Sequence, residues 1–141
     1  MHHDYDLHSH TTASDGSLTP TELVTHAVNC GVRALAVTDH DVTAGLAEAA
    51  AAAAEYGIEC IPGIEISVTW SHQTLHVLGL HIDPDNAALQ AGLQKLHDFR
   101  LWRAEEIAET LPTTGLSISP DEFLQAIRNP SAEWQAALGI N

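Results

Sequence analysis

The amino-acid sequence predicts an α/β fold, a partial (β/α) barrel with about four strands of the parallel type and flanking helices. Short apolar runs alternate with helical segments in the order strand, helix, strand, helix, strand, and their short connections are typical of a right-handed parallel sheet. Histidine and acidic residues lie in or directly after these runs, as they do at the rim of barrel enzymes. The chain has 141 residues, whereas a closed barrel of this kind needs roughly 200 or more.

The first half of the predicted sheet lies close to the start of the chain. Residues 4–7 predict a first strand that leads directly into a histidine-rich segment. Residues 19–22 form a capping box with proline at the first helical position, and Gly31 is the expected end of the helix that starts there. The apolar stretch at residues 32–37 then predicts a buried parallel strand.

A second helix and two further strands follow. Thr43 is the expected cap of this helix and Gly57 its end. Residues 58–68 predict a third strand that is interrupted by a Pro-Gly step, and residues 74–82 predict a fourth.

Only helices are predicted beyond the fourth strand. Asp85 is the expected cap of a long helix that ends near residue 111, and residues 119–122 form another capping box. These helices have no following strand to cover, which again indicates an incomplete barrel.

Charge and composition narrow the function classes. Nineteen Asp and Glu residues against five Lys and Arg residues give a formal net charge of −14, which disfavours an extended nucleic-acid surface. An acidic chain that handles phosphates needs metal cations to reverse the local charge, and ten histidines are consistent with such ions. No apolar run approaches the ~20 residues of a membrane span. The start lacks the features of a secretory signal, so the cytoplasm is the expected compartment.

Six polar side chains are expected to form one metal site. They lie in or after successive strand regions and are His8, His10, Asp15, His40, Glu65 and His76. The HxH spacing brings both imidazoles to the same face of a strand, and the carboxyl ends of parallel strands meet at one edge of a sheet. An isolated HxH pair, histidine or glutamate would be a weak signal, so the combination carries this prediction.

The residue types indicate divalent cations. Imidazole nitrogen and carboxylate oxygen suit Zn²⁺, Mn²⁺ and Fe²⁺. Closely spaced ions activate water near neutral pH and clamp phosphoryl oxygens, so no nucleophilic serine or cysteine is required.

Other polar residues are placed outside this set. Six histidines are expected on the surface or on helix faces: His2, His3, His26, His72, His81 and His97. Asp6, Asp39 and Asp41 are open to two interpretations, because they could orient ligating imidazoles or cap nearby helices.

Three segments resemble motifs of the PHP (polymerase and histidinol phosphatase) superfamily. They are DLHSHTTASDG at residues 6–16, TDHD at residues 38–41 and PGIEIS at residues 62–67. Together with LHVLG at residues 75–79, they are most similar to bacterial PHP phosphoesterases that act on nucleotides, including 3′,5′-nucleoside bisphosphate phosphatases and a 5′-to-3′ exoribonuclease. The clear resemblance covers about residues 4–110.

The resemblance implies a distorted seven-stranded (β/α) barrel with up to three metal ions. The HxH pair would hold the first ion together with Glu65, which would bridge to a second ion held by His76. Asp15 and His40 would hold the third ion. Glu65, Asp15 and His40 are therefore the residues expected to act most directly in catalysis.

In the family, further ligands come from C-terminal Asp-x-His and His-Pro-Gly motifs. Neither motif occurs after residue 82 of this chain. Residues 1–141 are therefore expected to be the N-terminal part of a PHP domain whose C-terminal barrel half is missing, either by truncation of a longer enzyme or as a natural remnant. An open sheet edge in such a part would allow self-association.

The implied function is metal-dependent hydrolysis of phosphate esters of small nucleotides by metal-activated water, incomplete in this chain. One alternative is a non-catalytic metal-binding or interaction module derived from the barrel. Another is the proofreading PHP domain of a replicative polymerase, which the lack of a polymerase segment and of a basic strand-binding surface disfavours. Histidinol phosphatase is disfavoured because the motifs are closer to those of the nucleotide enzymes.

Overall fold

The computed structural model describes residues 4–110 and 119–128. The chain divides into two compact units, Met1–Gln90 and Ala91–Asn141. The described part of the first unit contains, in order, β1 (Tyr5–Asp6), α1 (Pro20–Asn29), β2 (Ala34–Val37), α2 (Leu46–Tyr56), β3 (Glu59–Trp70) and β4 (Gln73–Leu80). α3 (Ala87–Thr110) begins in the first unit and continues into the second, which also contains α4 (Pro120–Arg128). Within these described ranges, none of the helices combines the length and apolar character needed to cross a bilayer.

The strands form one sheet in the order β1-β2-β3-β4. β1 pairs with β2 and β2 pairs with β3 in parallel, as the sequence predicts. β4 instead runs antiparallel to β3, with Trp70 opposite Gln73, so the expectation of a fourth parallel strand is wrong. The reason is the connection: Ser71 and His72, both with positive φ, form a two-residue hairpin turn, whereas a parallel crossover needs a dozen or more residues.

β3 is one continuous strand, so the expected interruption by the Pro-Gly step does not occur. The step marks a change of pairing partner, because β3 pairs with β2 up to Pro62 and with β4 from Gly63 onward. Proline has no N–H group, and a strand tolerates it where a hydrogen-bonded ladder ends. A Cβ atom on Gly63 would lie 2.7 Å from Thr38 Cγ2, so glycine permits the close approach of β2 and β3.

The core of the first unit lies between the two helices and the sheet. β2 is buried along its whole length, as expected of a parallel strand that is covered on both faces. Leu35 and Val37 belong to the main apolar cluster, to which the alanine run of α2 contributes Ala49, Ala52 and Ala53. Full burial of a side chain such as Leu35 contributes about 1.5–3 kcal/mol, and the small alanines let α2 approach the sheet closely.

Most of the predicted helix ends are present. Thr19 and Glu22 form a reciprocal capping box at α1, and Ser119 and Glu122 form the same pair of hydrogen bonds at α4. Gly31 follows α1 with φ 83°, and Gly57 closes α2 in the left-handed conformation with φ 71°. Glycine suits both positions, because other residues adopt a positive φ angle only at an energetic cost.

Two predicted caps are wrong. Gly45 rather than Thr43 precedes α2, without a side-chain cap, because the Thr43 carbonyl oxygen accepts the Leu46 N–H in a preceding turn. The cap of α3 is Asn86 rather than Asp85, since the Asn86 side chain accepts the first free N–H groups of the helix at 3.1 and 3.0 Å.

Candidate metal centre

The HxH segment lies beyond the first strand, because β1 ends at Asp6. Ser9, between the two histidines, nevertheless keeps the segment beside β2. Its carbonyl oxygen accepts the Thr38 N–H at 2.8 Å, and its hydroxyl donates to the Ala36 carbonyl oxygen at 2.6 Å. The extended segment therefore presents both imidazoles on the same side of the sheet end.

Glu65 lies at the centre of the cluster and is 6% exposed. Its Oε2 atom lies 2.8 Å from His8 Nε2 and 3.2 Å from His10 Nε2. The Nε2 atom of His40 lies 3.7 Å from the same oxygen, and His76 Nδ1 lies 3.3 Å from Oε1. Each oxygen of one buried carboxylate thus faces imidazole, so the carboxylate can serve two neighbouring ion positions.

Asp15 lies between two of these histidines on the solvent side. Its Oδ1 atom is 3.5 Å from His10 Nδ1, and its Oδ2 atom is 3.6 Å from His40 Nε2. The two imidazole rings stack, with centroids 4.6 Å apart. Gly16 allows the loop to turn back here, because a Cβ atom at this position would lie 2.3 Å from the His10 carbonyl oxygen.

Backbone pairing places His40 beside Glu65. The two residues form an isolated parallel bridge, in which the Glu65 N–H donates to the Asp39 carbonyl oxygen and the Asp41 N–H donates to the Glu65 carbonyl oxygen. The chain after β2 therefore extends the parallel pairing as far as the metal-ligand candidates.

His76 reaches the cluster from an antiparallel strand, whereas the sequence predicts a parallel one. It lies in the middle of β4, opposite Ser67, and not at the carboxyl end of a parallel strand. Because side chains alternate along a strand, Ser67 and Glu65 share a face of β3, and His76 shares that face. The hairpin delivers this imidazole to the site.

The candidate ligand atoms form three overlapping groups, and the three atoms of each group lie within 4.8 Å of one another. The groups are His8–His10–Glu65, His10–Asp15–His40 and His40–Glu65–His76. Among the described residues, the buried Nδ1 atoms of His10 and His40 lack a hydrogen-bond partner, which costs about 1–3 kcal/mol for each such group. Imidazole nitrogens and carboxylate oxygens in this mixture suit Zn²⁺, Mn²⁺ and Fe²⁺. The residues present therefore fit divalent metal ions.

Residues 6–116 match the sequence profile of the PHP domain. The chain belongs to the PHP domain family. A 3′,5′-nucleoside bisphosphate phosphatase from Chromobacterium violaceum is 46% identical over 125 residues, which are 89% of this chain and 44% of the relative. A 5′-3′ exoribonuclease from Haemophilus influenzae is 48% identical over 112 residues, 79% of this chain and 41% of the relative.

A solved structure from Bifidobacterium adolescentis, assigned as a metal-dependent phosphoesterase, superimposes with a TM-score of 0.78 at 30% identity. The match covers 97% of this chain and 51% of that one. It confirms the predicted α/β fold class. This PHP chain spans less than half the length of the two curated relatives.

The three aspartates that the sequence leaves open have partners in this PHP chain. Asp6 Oδ1 accepts the His8 N–H at 3.3 Å, and Asp41, with φ 55°, accepts the Ser67 N–H at 2.8 Å. Asp39 accepts hydrogen bonds from the loop that precedes Asp15. None of these recorded bonds is a helix cap.

Four other histidines of the PHP chain lie in the described residues but in none of the three groups: His26, His72, His81 and His97. All four are exposed, as the sequence predicts. His2 and His3 lie outside the described residues.

Sequence reasoning missed the hydroxyl side chains of Ser9 and Thr38, whose hydrogen bonds hold the HxH segment beside β2. The sequence offers one indication of this role, which is that each residue lies next to a charged or imidazole residue within a motif.

The charge state of Glu65 also suits a metal ligand. Burial acts to raise the pKa of its carboxyl group, but the hydrogen bond from His8 and the charge of neighbouring imidazoles, His40 foremost, outweigh burial and hold the pKa below its ordinary value. An ionised carboxylate can bind a cation without first losing a proton.

Proposed function

We propose that this chain carries the metal-binding part of a phosphoesterase that hydrolyses phosphate esters of small nucleotides, of the 3′,5′-nucleoside bisphosphate or oligoribonucleotide type, with metal-activated water. The observation that carries the proposal is the cluster of three ligand groups around one buried carboxylate. The activities named for the two curated relatives support the substrate class.

Each proposed ligand has a definite place in the site. His8, His10 and Glu65 would hold one divalent ion of the Mn, Zn or Fe type, and Glu65 would share its second oxygen with the position beside His76. His10 and His40 each belong to two groups, so they link the ion positions. When bound, such ions activate water for attack on phosphorus and neutralise the phosphoryl oxygens.

The shortage of cationic side chains in the first unit supports this role of the metal ions. Arg33 is the one Lys or Arg residue between Met1 and Gln90, and it lies 4.0 Å from Asp4 rather than in the cluster. The first unit therefore offers no cationic side chain to bind a phosphate at the ligand groups, and cations must supply the positive charge. The side chains of His8, Asp15 and His76 are about half exposed, which leaves the cluster accessible to a substrate from solvent.

The test is hydrolysis of a nucleoside 3′,5′-bisphosphate, followed by phosphate release with added Mn²⁺ and again with EDTA. We expect Glu65→Gln to lower kcat/KM by at least about 100-fold, the upper end of the loss typical for residues that only support a ligand. His97→Gln, at an exposed position of α3, is the matched control and should retain full activity. Turnover that persists in EDTA or in Glu65→Gln would refute the proposal.

A non-catalytic metal-binding or interaction module remains the second candidate, because the chain spans less than half the length of its curated relatives. Each group here contains three ligand residues. Catalysis also needs open coordination positions for water and substrate, held in a fixed geometry. Mn²⁺ binding without any phosphate release, both in this chain and in a version extended from the Chromobacterium violaceum relative, would favour this candidate.

We further infer that residues 1–141 form the N-terminal part of a PHP domain and that the protein acts in the cytoplasm, where nucleotide substrates are available. Self-association belongs to the same proposal. β4 is the last strand of the sheet order, and an exposed edge strand offers unpaired backbone groups to a second chain.

A further inference from the structure

The carboxylate of Asp39 holds the loop that carries Asp15. Asp39 is 2% exposed. Its Oδ1 atom accepts the Thr11 N–H at 2.7 Å and the Ser14 hydroxyl at 2.6 Å, and its Oδ2 atom accepts the Thr11 hydroxyl at 2.8 Å. Three short hydrogen bonds thus end on one buried side chain that belongs to none of the three ligand groups.

These hydrogen-bond partners border the ligands of one group. Thr11 directly follows His10, Ser14 directly precedes Asp15, and Asp39 itself directly precedes His40. A single carboxylate therefore fixes the positions of all three members of the His10–Asp15–His40 group relative to one another.

Gly45, the residue before α2, lies directly beside the Asp39–Thr11 hydrogen bond. A Cβ atom at Gly45 would lie 3.1 Å from Asp39 Oδ2 and 3.1 Å from Thr11 Oγ1. The φ angle of Gly45 is −77°, which any residue adopts, so the backbone conformation does not require glycine there. Space beside the Asp39–Thr11 pair is tight, so a side chain at residue 45 would push this pair by a few tenths of an ångström. The N-terminal end of a helix also favours a nearby negative charge.

We propose that Asp39 is a positioning residue that sets the affinity of one metal position, the His10–Asp15–His40 group. His40 is also fixed by its bridge to Glu65, and His10 follows a segment that Ser9 ties to β2. Asp15, whose side chain is 58% exposed, lies in a loop without strand pairing, so it depends most on the Asp39 anchor. The inference rests on the proposed metal function and concerns one ion position within it.

The experiment measures Mn²⁺ binding to the 141-residue chain by the electron paramagnetic resonance signal of free Mn²⁺, with no substrate present. We expect wild type to show more than one class of site, and Asp39→Asn to weaken one class by about 10- to 100-fold while the others change by less than about 2-fold. Ser14→Ala removes one of the three hydrogen bonds, together with the longer 3.3 Å contact between the same hydroxyl and Asp15 Oδ1. Gly45→Ala leaves the Asp15 contact in place and presses a methyl group against Asp39 and Thr11. Both variants should weaken the same class. Ser17→Ala, exposed in the same loop, is the control and should bind as wild type does.

Thermal unfolding in EDTA separates positioning from damage to the fold. Ser14→Ala should bind Mn²⁺ more weakly at the one class of site while it keeps a melting temperature close to that of wild type. Equal weakening of every class, or unchanged binding in Ser14→Ala and Gly45→Ala, would overturn the role of Asp39. Wild type that binds no Mn²⁺ would refute the proposed metal function itself, and the inference with it.

Discussion

At the scale of single residues, Glu65 shows how the fold shifts the ionisation of a side chain at the centre of the site. A buried carboxylate is costly unless it is hydrogen bonded or paired, and here the bond with His8 and the neighbouring imidazoles offset that cost. Because its pKa lies below the ordinary value of 4.5 in the folded chain, the ionised form stabilises the fold. This contribution is present at pH values above about 4.5 and is lost as the pH falls through the lowered pKa.

We therefore predict that the stability difference between wild type and Glu65→Gln depends on pH in the metal-free protein. Glutamine does not titrate, so the advantage of wild type should be fully present above about pH 4.5 and shrink steadily as the pH falls below that value. Urea unfolding in EDTA, followed by circular dichroism at a series of pH values, measures it. Carboxyl groups far from Glu65 are common to both proteins, so their titration cancels in the difference. A difference that grows below pH 4.5 would contradict the lowered pKa.

The six candidate ligands could be chosen from the sequence because residue type, spacing and placement after apolar runs all point in the same direction. The hydrogen bonds that join Asp39 to the Asp15 loop could not be predicted in this way. The Asp39 partners Thr11 and Ser14 are 28 and 25 residues away in the chain, and loop hydroxyls follow no periodic pattern. Such contacts depend on how the loops fold back, which local sequence does not specify.

At the scale of elements, the β3–β4 hairpin determines the second half of the site. The apolar runs are sufficient to predict both strands, but their relative direction depends on the turn. Ser71 and His72 adopt positive φ without the Asn-Gly or Asp-Gly dipeptide that announces such a turn. The sequence therefore did not predict the hairpin. For the same reason it did not predict how His76 comes to lie beside Glu65.

β3 also depends on the close contact at Gly63. We predict that Gly63→Ala destabilises the chain by about 1–3 kcal/mol, because the added methyl group overpacks a filled site. Its Cβ would meet Thr38 Cγ2 at 2.7 Å and the Val37 carbonyl oxygen at 2.9 Å. Gly92→Ala in α3 is the control: its Cβ meets nothing within 4 Å, and alanine favours helix by up to about 1 kcal/mol. Urea unfolding midpoints compare the two, and a Gly63→Ala protein as stable as wild type would contradict this packing.

At the scale of the whole molecule, charge and apolar surface are distributed unequally. The net charge is −14, yet residues 66–82 contain no Asp, Glu, Lys or Arg. This uncharged stretch includes β4, whose apolar side chains Leu75, Val77, Leu78 and Leu80 are exposed. Natural proteins usually protect an edge strand with charges, proline or a cover. Two copies could therefore pair along β4 with little direct charge repulsion at the contact, while their acidic surfaces repel at longer range.

We accordingly predict that the 141-residue chain self-associates through β4 and that salt strengthens the association by screening the net negative charge. Light scattering coupled to gel filtration, over a range of protein concentrations at low and moderate salt, measures the mass. Val77→Lys, at a position of β4 that is 51% exposed, should shift the chain toward monomer, because a charge on an edge strand opposes pairing. Tyr56→Lys, at a position of α2 that is 48% exposed, adds the same charge away from the edge and should shift it much less. A chain that is monomeric at every concentration and salt, or that responds equally to both substitutions, would show that β4 is not the contact.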